Sequence, residues 1–169
     1  NYANAHLYYA QMLSFLGRHT EALAEIDRAA EINPISQSIS GARFAILESS
    51  GKYDEALKIA EEAIKFDPES RNYKRALGTI LFHKGEYARV IEMGIANLNQ
   101  KGEPKFAWLS LVSTSYAELN RIDEAITALQ KSFEMREERM AWINVEPRFE
   151  NLRTDARFLE LVRKMHLSN

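Results

Sequence analysis

Residues 50–68 read SGKYDEALKIAEEAIKFDP, and the scheme of this stretch returns three more times along the chain. Residues 16–34 read LGRHTEALAEIDRAAEINP, residues 84–102 read KGEYARVIEMGIANLNQKG, and residues 119–137 read LNRIDEAITALQKSFEMRE. The residues that mark the common turn, spaced by 34, 34 and 35 positions, are Gly17, Gly51, Gly85 and Asn120. A fixed period of this length is typical of an array in which every repeat is one supersecondary unit.

The residue types at the marker positions predict the end of one helix and the start of another. A helix that ends in a left-handed residue favours Gly, and Asn is its usual substitute. Three of the four stretches that follow a marker place an acid near the positive end of a helix dipole, at Glu21, Glu55 and Glu124. Pro34 and Pro68, again 34 residues apart, end the second helix of the first two repeats.

Apolar residues recur within the repeats at helical spacing. Leu57, Ala60 and Ile64 follow the three- and four-residue steps of one helix face. No segment alternates between apolar and polar residues over two-residue steps, and proline occurs only at junctions. The sequence therefore predicts an all-α protein.

The 34-residue period, the Gly-x-Tyr-Asp-Glu-Ala run at 51–56 and the closing Asp67-Pro68 resemble the tetratricopeptide-repeat (TPR) signature. The resemblance implies a right-handed solenoid of antiparallel helix pairs that binds proteins and is not an enzyme. It divides residues 1–137 into four helix pairs, which span residues 3–34, 37–68, 71–102 and 106–137.

The third repeat departs from this pattern. Val90, Gly94, Asn97 and Gly102 replace the small, bulky, small and proline residues that the resemblance leads us to expect. Glycine inside a helix is less favourable than alanine by about 1 kcal/mol. We therefore expect a weakened or bent helix around Gly94.

Residues 138–169 do not repeat and are expected to form a helical cap. A solenoid exposes its last apolar face unless another segment covers it. Thr154 or Asp155 is suited to begin a final helix that runs to about Met165. The residues expected on its apolar face are Phe158, Leu159, Val162 and Met165.

This last segment carries its own resemblance, on Trp142, Glu146-Pro147-x-Phe149, Leu152-Arg153-x-Asp155-x-Arg157-Phe158 and Arg163-Lys164-Met165-x-Leu167. The pattern is similar to the end of TPR regions in larger bacterial regulators, behind a winged-helix, protein kinase or nucleotide cyclase domain. The chain begins at Asn1 without Met, which fits a piece cut from such a protein. The cytoplasm is the expected compartment, and a periplasmic position stays open.

Composition disfavours several other classes of protein. The formal net charge is -2 with acids and bases mixed along the chain, so neither a nucleic-acid surface nor a polybasic membrane patch is expected. There is no cysteine, which excludes disulfides and thiolate sites. No apolar run approaches the ~20 residues that a membrane-spanning helix requires.

Catalytic and cofactor sites are not expected either. The four histidines, His6, His19, His83 and His166, are scattered without metal-ligand spacing, and the glycines mark turns instead of a phosphate loop. The serines and threonine at 113–115 are expected on a helix surface, and Trp108 and Trp142 in the core or cap. No cofactor or metal is predicted.

The resemblance implies that a partner protein or peptide binds a groove lined by the first helix of each repeat. Carried over position by position, the groove residues are Asn4, Leu7, Tyr8, Gln11, Phe15, Ala42, Ala45, Ser49, Asn72, Arg75, Thr79, Phe82, Ser110 and Thr114. For each of them the alternative is partial packing in the core.

The resemblance also suggests one partner class that does not fit. TPR proteins that hold the acidic tails of heat-shock chaperones use lysine, arginine and asparagine at positions occupied here by Leu7, Gln11, Ala42, Asn72 and Ala76. We therefore expect a mostly neutral, partly aromatic groove that accepts an apolar or helical segment. Two alternatives stay open: a homo-oligomerisation module, and a sensor of a small peptide or metabolite.

Overall fold

A computed structural model describes residues 2–98, 105–136 and 138–165. These residues form nine α-helices and two 3₁₀ helices, and the same described residues contain no strand, which confirms the all-α prediction. In chain order the elements are α1 (Tyr2–Phe15), α2 (His19–Ile32), α3 (Gln37–Ser49), α4 (Tyr53–Phe66), α5 (Arg71–His83), α6 (Tyr87–Leu98), α7 (Lys105–Glu118), α8 (Ile122–Glu134), η1 (Glu138–Trp142), η2 (Pro147–Leu152) and α9 (Ala156–Lys164). None of the helices in this part of the chain is long and apolar enough to cross a bilayer.

The four marker residues adopt the left-handed conformation that their types predict. The φ angles are 75° at Gly17, 73° at Gly51, 75° at Gly85 and 56° at Asn120. At each turn two backbone hydrogen bonds return to the helix that is ending; at Gly51 they run from Gly51 N to Glu48 O at 3.0 Å and from Lys52 N to Leu47 O at 2.9 Å. This is the Schellman arrangement, which satisfies the last carbonyl groups of a helix.

An ion pair follows each marker turn. The sequence pattern indicated the acid of the pair in three repeats but not its basic partner. Arg18 Nη2 lies 2.5 Å from Glu21 Oε2, and Arg121 Nη2 lies 2.6 Å from Glu124 Oε1. Hydrogen bonds from these arginines lower the pKa of Glu21 and of Glu124 below the ordinary value. The third repeat reverses the charges, with Glu86 ahead of Arg89. The pairing therefore persists where the acid of the pattern is missing.

The chain divides into two compact units, Asn1–Tyr73 and Lys74–Asn169. In the first unit, α1 packs on both α2 and α3. Its core contains mainly alanine, leucine and isoleucine: Ala3, Leu7, Ala10, Leu13, Ala22, Ile26, Ala29, Ile39, Ala42 and Ile46. Outside this core, Arg43 of α3 forms an ion pair with Asp27 of α2.

In the second unit, α7 lies between α6 on one side and α8 with η2 on the other. Trp108 of α7 is 2% exposed, which confirms its predicted place in the core. Two glycines leave space for the side chains of α7. A Cβ atom on Gly78 would lie 2.8 Å from Trp108 Cζ3, and one on Gly94 would overlap Cγ2 of Val112. Gly94 is therefore the residue that allows α6 and α7 to approach closely, and α6 is continuous through it.

The position of α7 corrects one prediction. Ser113, Thr114 and Ser115 are buried, although a helix surface was expected for them. Because neighbours cover α7 on two sides, it has little solvent-facing surface. Ser113 and Thr114 satisfy their hydroxyl groups by donating to the backbone oxygen of Ser110, at 3.1 and 2.8 Å.

Residues 138–165 pack against α7 and α8 through η1, η2 and α9. Asp155 caps α9, because its carboxylate accepts a hydrogen bond of 2.8 Å from Arg157 N. The predicted apolar face of α9 is wrong at one position: Leu159 is exposed and Leu161 is buried instead, with Phe158 and Val162. Trp142, expected in the core or cap, is 68% exposed. Residues 137 and 166–169 lie outside the described part.

Candidate partner-binding surface

The first unit presents six of the predicted groove residues to solvent. They lie on α1 and α3, which contact each other: Asn4, Tyr8, Gln11, Phe15, Ala45 and Ser49. We call this set the α1–α3 surface. Ser14 Oγ and Ser49 Oγ lie 3.3 Å apart and link the two helices at one end of the set. The predicted residues Leu7 and Ala42 are buried in the core beneath.

The register of α1 explains why Tyr8 and Phe15 are exposed. Ala3, Leu7 and Ala10 recur at steps of four and three and face the core. Tyr8 and Phe15 are seven residues apart and so share a different face, where they are 66% and 92% exposed. Large apolar side chains gathered on a surface mark a site of interaction with another molecule.

A further apolar strip on α1 was not among the predicted site residues. Tyr2, Tyr9, Met12 and Leu16 are also exposed, on the side of the helix away from the core and next to Tyr8 and Phe15. The signal was present in the sequence, because large apolar residues of α1 lie on faces other than the one that faces the core, and its first and last turns have no charged residue. A helix of that kind buries more than one face.

The remaining predicted residues have varied surroundings. Asn72 and Arg75 are exposed on α5, and Thr79 is half-buried with its hydroxyl donating to Arg75 O at 3.1 Å. Phe82 is buried in the second unit. Its ring makes an edge contact with Tyr87 at 5.3 Å between centroids, and the guanidinium carbon of Arg148 lies 5.0 Å above it.

Ser110 and Thr114, the last two predicted residues, line a cleft of about 340 Å³ in the second unit. Its walls come from α7, α8, η1 and η2, and Trp142 lies at its edge. The cleft depends on the segment after residue 137, which the repeat pattern does not cover. No sequence signal in the repeats could have placed it.

His6 and Arg28 form a polar network around Glu25. His6 Nδ1 lies 2.6 Å from Glu25 Oε2, and Arg28 Nη1 donates to Glu25 Oε1 at 2.6 Å. This network joins α1 to α2 around a carboxylate that is nearly buried. In the part of the chain that the structure describes, no three His, Asp or Glu residues are grouped so as to hold a metal ion.

Comparison with known proteins gives one family match and several similar structures. Residues 49–132 match the family described as anaphase-promoting complex, cyclosome, subunit 3. No curated protein sequence matches the chain.

Three solved structures illustrate the structural similarity. A fragment of MamA from Desulfovibrio magneticus RS-1 has a TM-score of 0.68 at 17% identity and covers 96% of both chains. A tetratricopeptide repeat protein from Parabacteroides merdae has a TM-score of 0.75 at 14% identity, over 97% of this chain and 64% of that one. YrrB, described as a TPR protein with an unusual peptide-binding site, has a TM-score of 0.60 at 18% identity, over 94% and 82%. These similarities establish the fold.

Proposed function

Because this chain is a tetratricopeptide-repeat protein, we propose that it is an interaction module that binds a helical segment of a partner protein on its α1–α3 surface. The observation that carries the proposal is the exposure of Tyr8 and Phe15 on one face of α1. A fold of this kind is consistent with a protein–protein interaction scaffold, and its function is carried by a surface.

The spacing of the two aromatic residues suits a helical partner. Residues seven apart on a helix are separated by about 10 Å along its axis, which is also the separation of two anchor residues two turns apart on a bound helix. Ala45 and Ser49 of α3, the helix that contacts α1, are small and exposed, so they add little bulk to this surface. Aromatic anchors of this kind supply much of the binding energy at protein interfaces.

The chemistry of the surface favours an apolar partner over an acidic one. None of the six residues of the α1–α3 surface carries a charge. A free acidic tail would lose its hydration without gaining a cationic partner there. The bound segment should therefore present leucine, methionine or aromatic side chains, as amphipathic helices do.

The test is capture of partners from a lysate of the source organism by the wild-type chain and two variants. In a separate sample, benzoylphenylalanine in place of Tyr8 crosslinks what touches α1. Tyr8→Glu/Phe15→Glu is the variant that should lose the partner. Phe15 is a better choice than Phe82, since Phe82 is buried. Ile35→Glu/Phe66→Glu is the matched control, because both residues are about as exposed as Phe15 and lie outside the surface.

The outcomes distinguish binding at the α1–α3 surface from binding at another face. A partner retained by wild type and control and lost by Tyr8→Glu/Phe15→Glu supports the proposal. A partner retained equally by both variants contradicts it and moves the interface to another face. Micromolar binding of an acidic tail peptide through Tyr8 would contradict the apolar partner.

We also propose a setting for this module: a larger bacterial signalling or transcription-regulatory protein in the cytoplasm. The proposal rests on the similarity of residues 142–167 to the ends of such TPR regions. Reading the gene upstream of residue 1 tests it. A DNA-binding, kinase or cyclase domain in the same reading frame supports the proposal, and a stop codon followed directly by an initiator contradicts it.

A second candidate function is self-association through the outer side of α1. Tyr9 and Met12 are exposed there. The equivalent residues 34 positions later make contacts: Arg43 forms an ion pair with Asp27, and Ile46 packs in the core. These two repeat positions therefore make contacts in α3 but face solvent in α1. Sedimentation equilibrium tests this candidate: a mass that rises with concentration in wild type, and stays monomeric in Met12→Glu, supports it.

A further inference from the structure

The cleft of the second unit is of a size for one side chain or one small molecule. Its volume of about 340 Å³ lies at the lower end of the range for ligand sites, and it is too small for a helix. It opens beside Trp142 of η1, and its inner wall includes hydroxyl groups of α7 and α8.

Three polar side chains of the cleft, Ser113, Thr114 and Glu146, can accept a further hydrogen bond, which favours a ligand that donates. Ser113 and Thr114 already donate their hydroxyl protons to Ser110 O, at 3.1 and 2.8 Å, so each oxygen retains lone pairs and no spare proton. The carboxylate of Glu146 also lines the cleft and accepts from Arg148 N at 3.2 Å. The same oxygen, Oε1, accepts from Arg148 Nη1 at 3.2 Å, and the carboxylate has further acceptor sites beyond these two bonds.

Ser132 of α8 supplies an independent observation. Its side chain is 1% exposed and lines the cleft, yet its Oγ atom has no hydrogen-bond partner in the structure. A buried hydroxyl without a partner is unfavourable, so a ligand atom within hydrogen-bond reach would stabilise the site.

The charge and the apolar wall of the cleft further restrict the chemical class of the ligand. Arg148 is shared between Glu146, at 3.2 Å, and Glu118, at 3.6 Å, so this group of three carries one net negative charge. Met140, Ile143 and Phe149 give the cleft an apolar wall. An alkyl stem suits that wall, and a cationic donor suits the carboxylate.

We propose that this cleft binds an aliphatic cation, an ammonium or guanidinium group on an alkyl stem, supplied by a lysine or arginine side chain of a partner polypeptide. The proposal does not rest on the α1–α3 surface, because it uses different residues in the other unit. Failure of either proposal leaves the other standing.

Fluorescence titration of the purified chain tests the cleft. Trp108 is buried and Trp142 is exposed, so emission that acrylamide quenches comes mainly from Trp142. N-acetyl-lysinamide and N-acetyl-argininamide should protect Trp142 from acrylamide in a saturable way. N-acetyl-norleucinamide, which has an uncharged alkyl side chain, should not. No protection by either cation, or equal protection by the norleucine compound, overturns the proposal.

Two substitutions, each with a matched control, locate the binding. Glu146→Gln should weaken binding at least about tenfold while retaining an oxygen to accept from Arg148 N. Glu118→Gln, at the other partner of Arg148, removes the same negative charge but does not line the cleft, so it should weaken binding clearly less than Glu146→Gln. Ser132→Ala should weaken binding about fivefold, whereas Ser115→Ala, buried and equally unpartnered, should not. Equal effects within either pair contradict the assignment, provided that thermal melting shows all four variants folded.

A third measurement distinguishes a polypeptide side chain from a free amine as the source of the cation. Butylamine carries the same ammonium group without a peptide backbone. If a lysine-containing peptide binds at least about tenfold more tightly than butylamine, a polypeptide partner is supported. An advantage of the peptide below about tenfold, or tighter binding of butylamine, overturns the polypeptide assignment in favour of a free amine.

Discussion

The side-chain amide nitrogen of Asn151 in η2 lies 3.2 Å from the side-chain oxygen of Asn120, the left-handed residue that ends α7. The same amide group donates to the backbone oxygen of Ala117 at 2.8 Å. The C-terminal segment therefore supplies a hydrogen bond to the last turn of α7, in addition to the two backbone bonds of the turn. This contact adds to the intrinsic tolerance of asparagine for the left-handed conformation at the fourth marker.

Asn151→Ala should lower the free energy of unfolding by about 1 kcal/mol, because Ala117 O loses a donor. Urea denaturation measures the change, and Asn4→Ala, at an exposed position, is the control. Asn120→Gly removes left-handed strain but also the contact with Asn151, so it should stabilise the Asn151→Ala variant more than wild type. Equal effects in both backgrounds would contradict the coupling.

Gly94→Ala should destabilise the protein by about 1–2 kcal/mol, because the new Cβ overlaps Val112 and outweighs the gain in helix propensity. Gly41→Ala is the matched control, since a Cβ there meets nothing within 4 Å. It should be stabilising by about 1 kcal/mol. Thermal and urea melts compare the two.

A second substitution checks the cause of the Gly94 effect. In the Gly94→Ala/Val112→Ala variant the overlap is gone, so the combined loss should fall below the sum of the single losses by about 1 kcal/mol. Simple additivity would show that the two residues do not clash.

Phe82→Glu should unfold the second unit or lower its stability by about 3 kcal/mol or more, because the packing of a buried ring is lost and a carboxylate is placed in a buried position. Phe15→Glu should change stability by no more than about 0.5 kcal/mol, because Phe15 is exposed. Circular dichroism melts distinguish these outcomes. Similar stability of both variants would argue against the burial of Phe82.

Stability should fall in acid partly through Asp155. Hydrogen bonds from the side chain and backbone of Arg157 lower the pKa of Asp155 from 3.8 to about 2. Because the folded pKa lies below the unfolded one, the contribution of the carboxylate is complete above pH 3.8 and is lost as the pH falls through about 2. Asp155→Asn should therefore flatten the dependence of the melting temperature on pH in this interval.

The control for that titration is Asp67→Asn, at an exposed acid outside the contacts of Arg157. It should leave the acid limb of the curve steeper than in Asp155→Asn. If both variants follow the wild-type curve between about pH 2 and 4, Asp155 contributes nothing to acid stability.

The features that were predictable are those that depend on neighbours along the chain. The four left-handed turns follow from glycine and asparagine, because the φ preference of a residue is a property of its own side chain. Arg136 is also left-handed, with φ 54°, and was missed because arginine has no such preference. The helical period also separates Leu7 from Tyr8, although both were expected in the groove and only Tyr8 is exposed.

The features that escaped prediction depend on what packs against a helix from elsewhere in the chain. Whether residues 113–115 are buried is decided by α6, α8 and η2, and the exposure of Trp142 by the path of η1. The cleft beside Ser132 exists because residues 138–152 pack against α7 and α8. The sequence alone determined the helices, their ends and the repeat period, since these arise from backbone preferences and local hydrogen bonds. Only the tertiary structure decided which faces are covered, because burial is a property of pairs of segments that are distant in sequence.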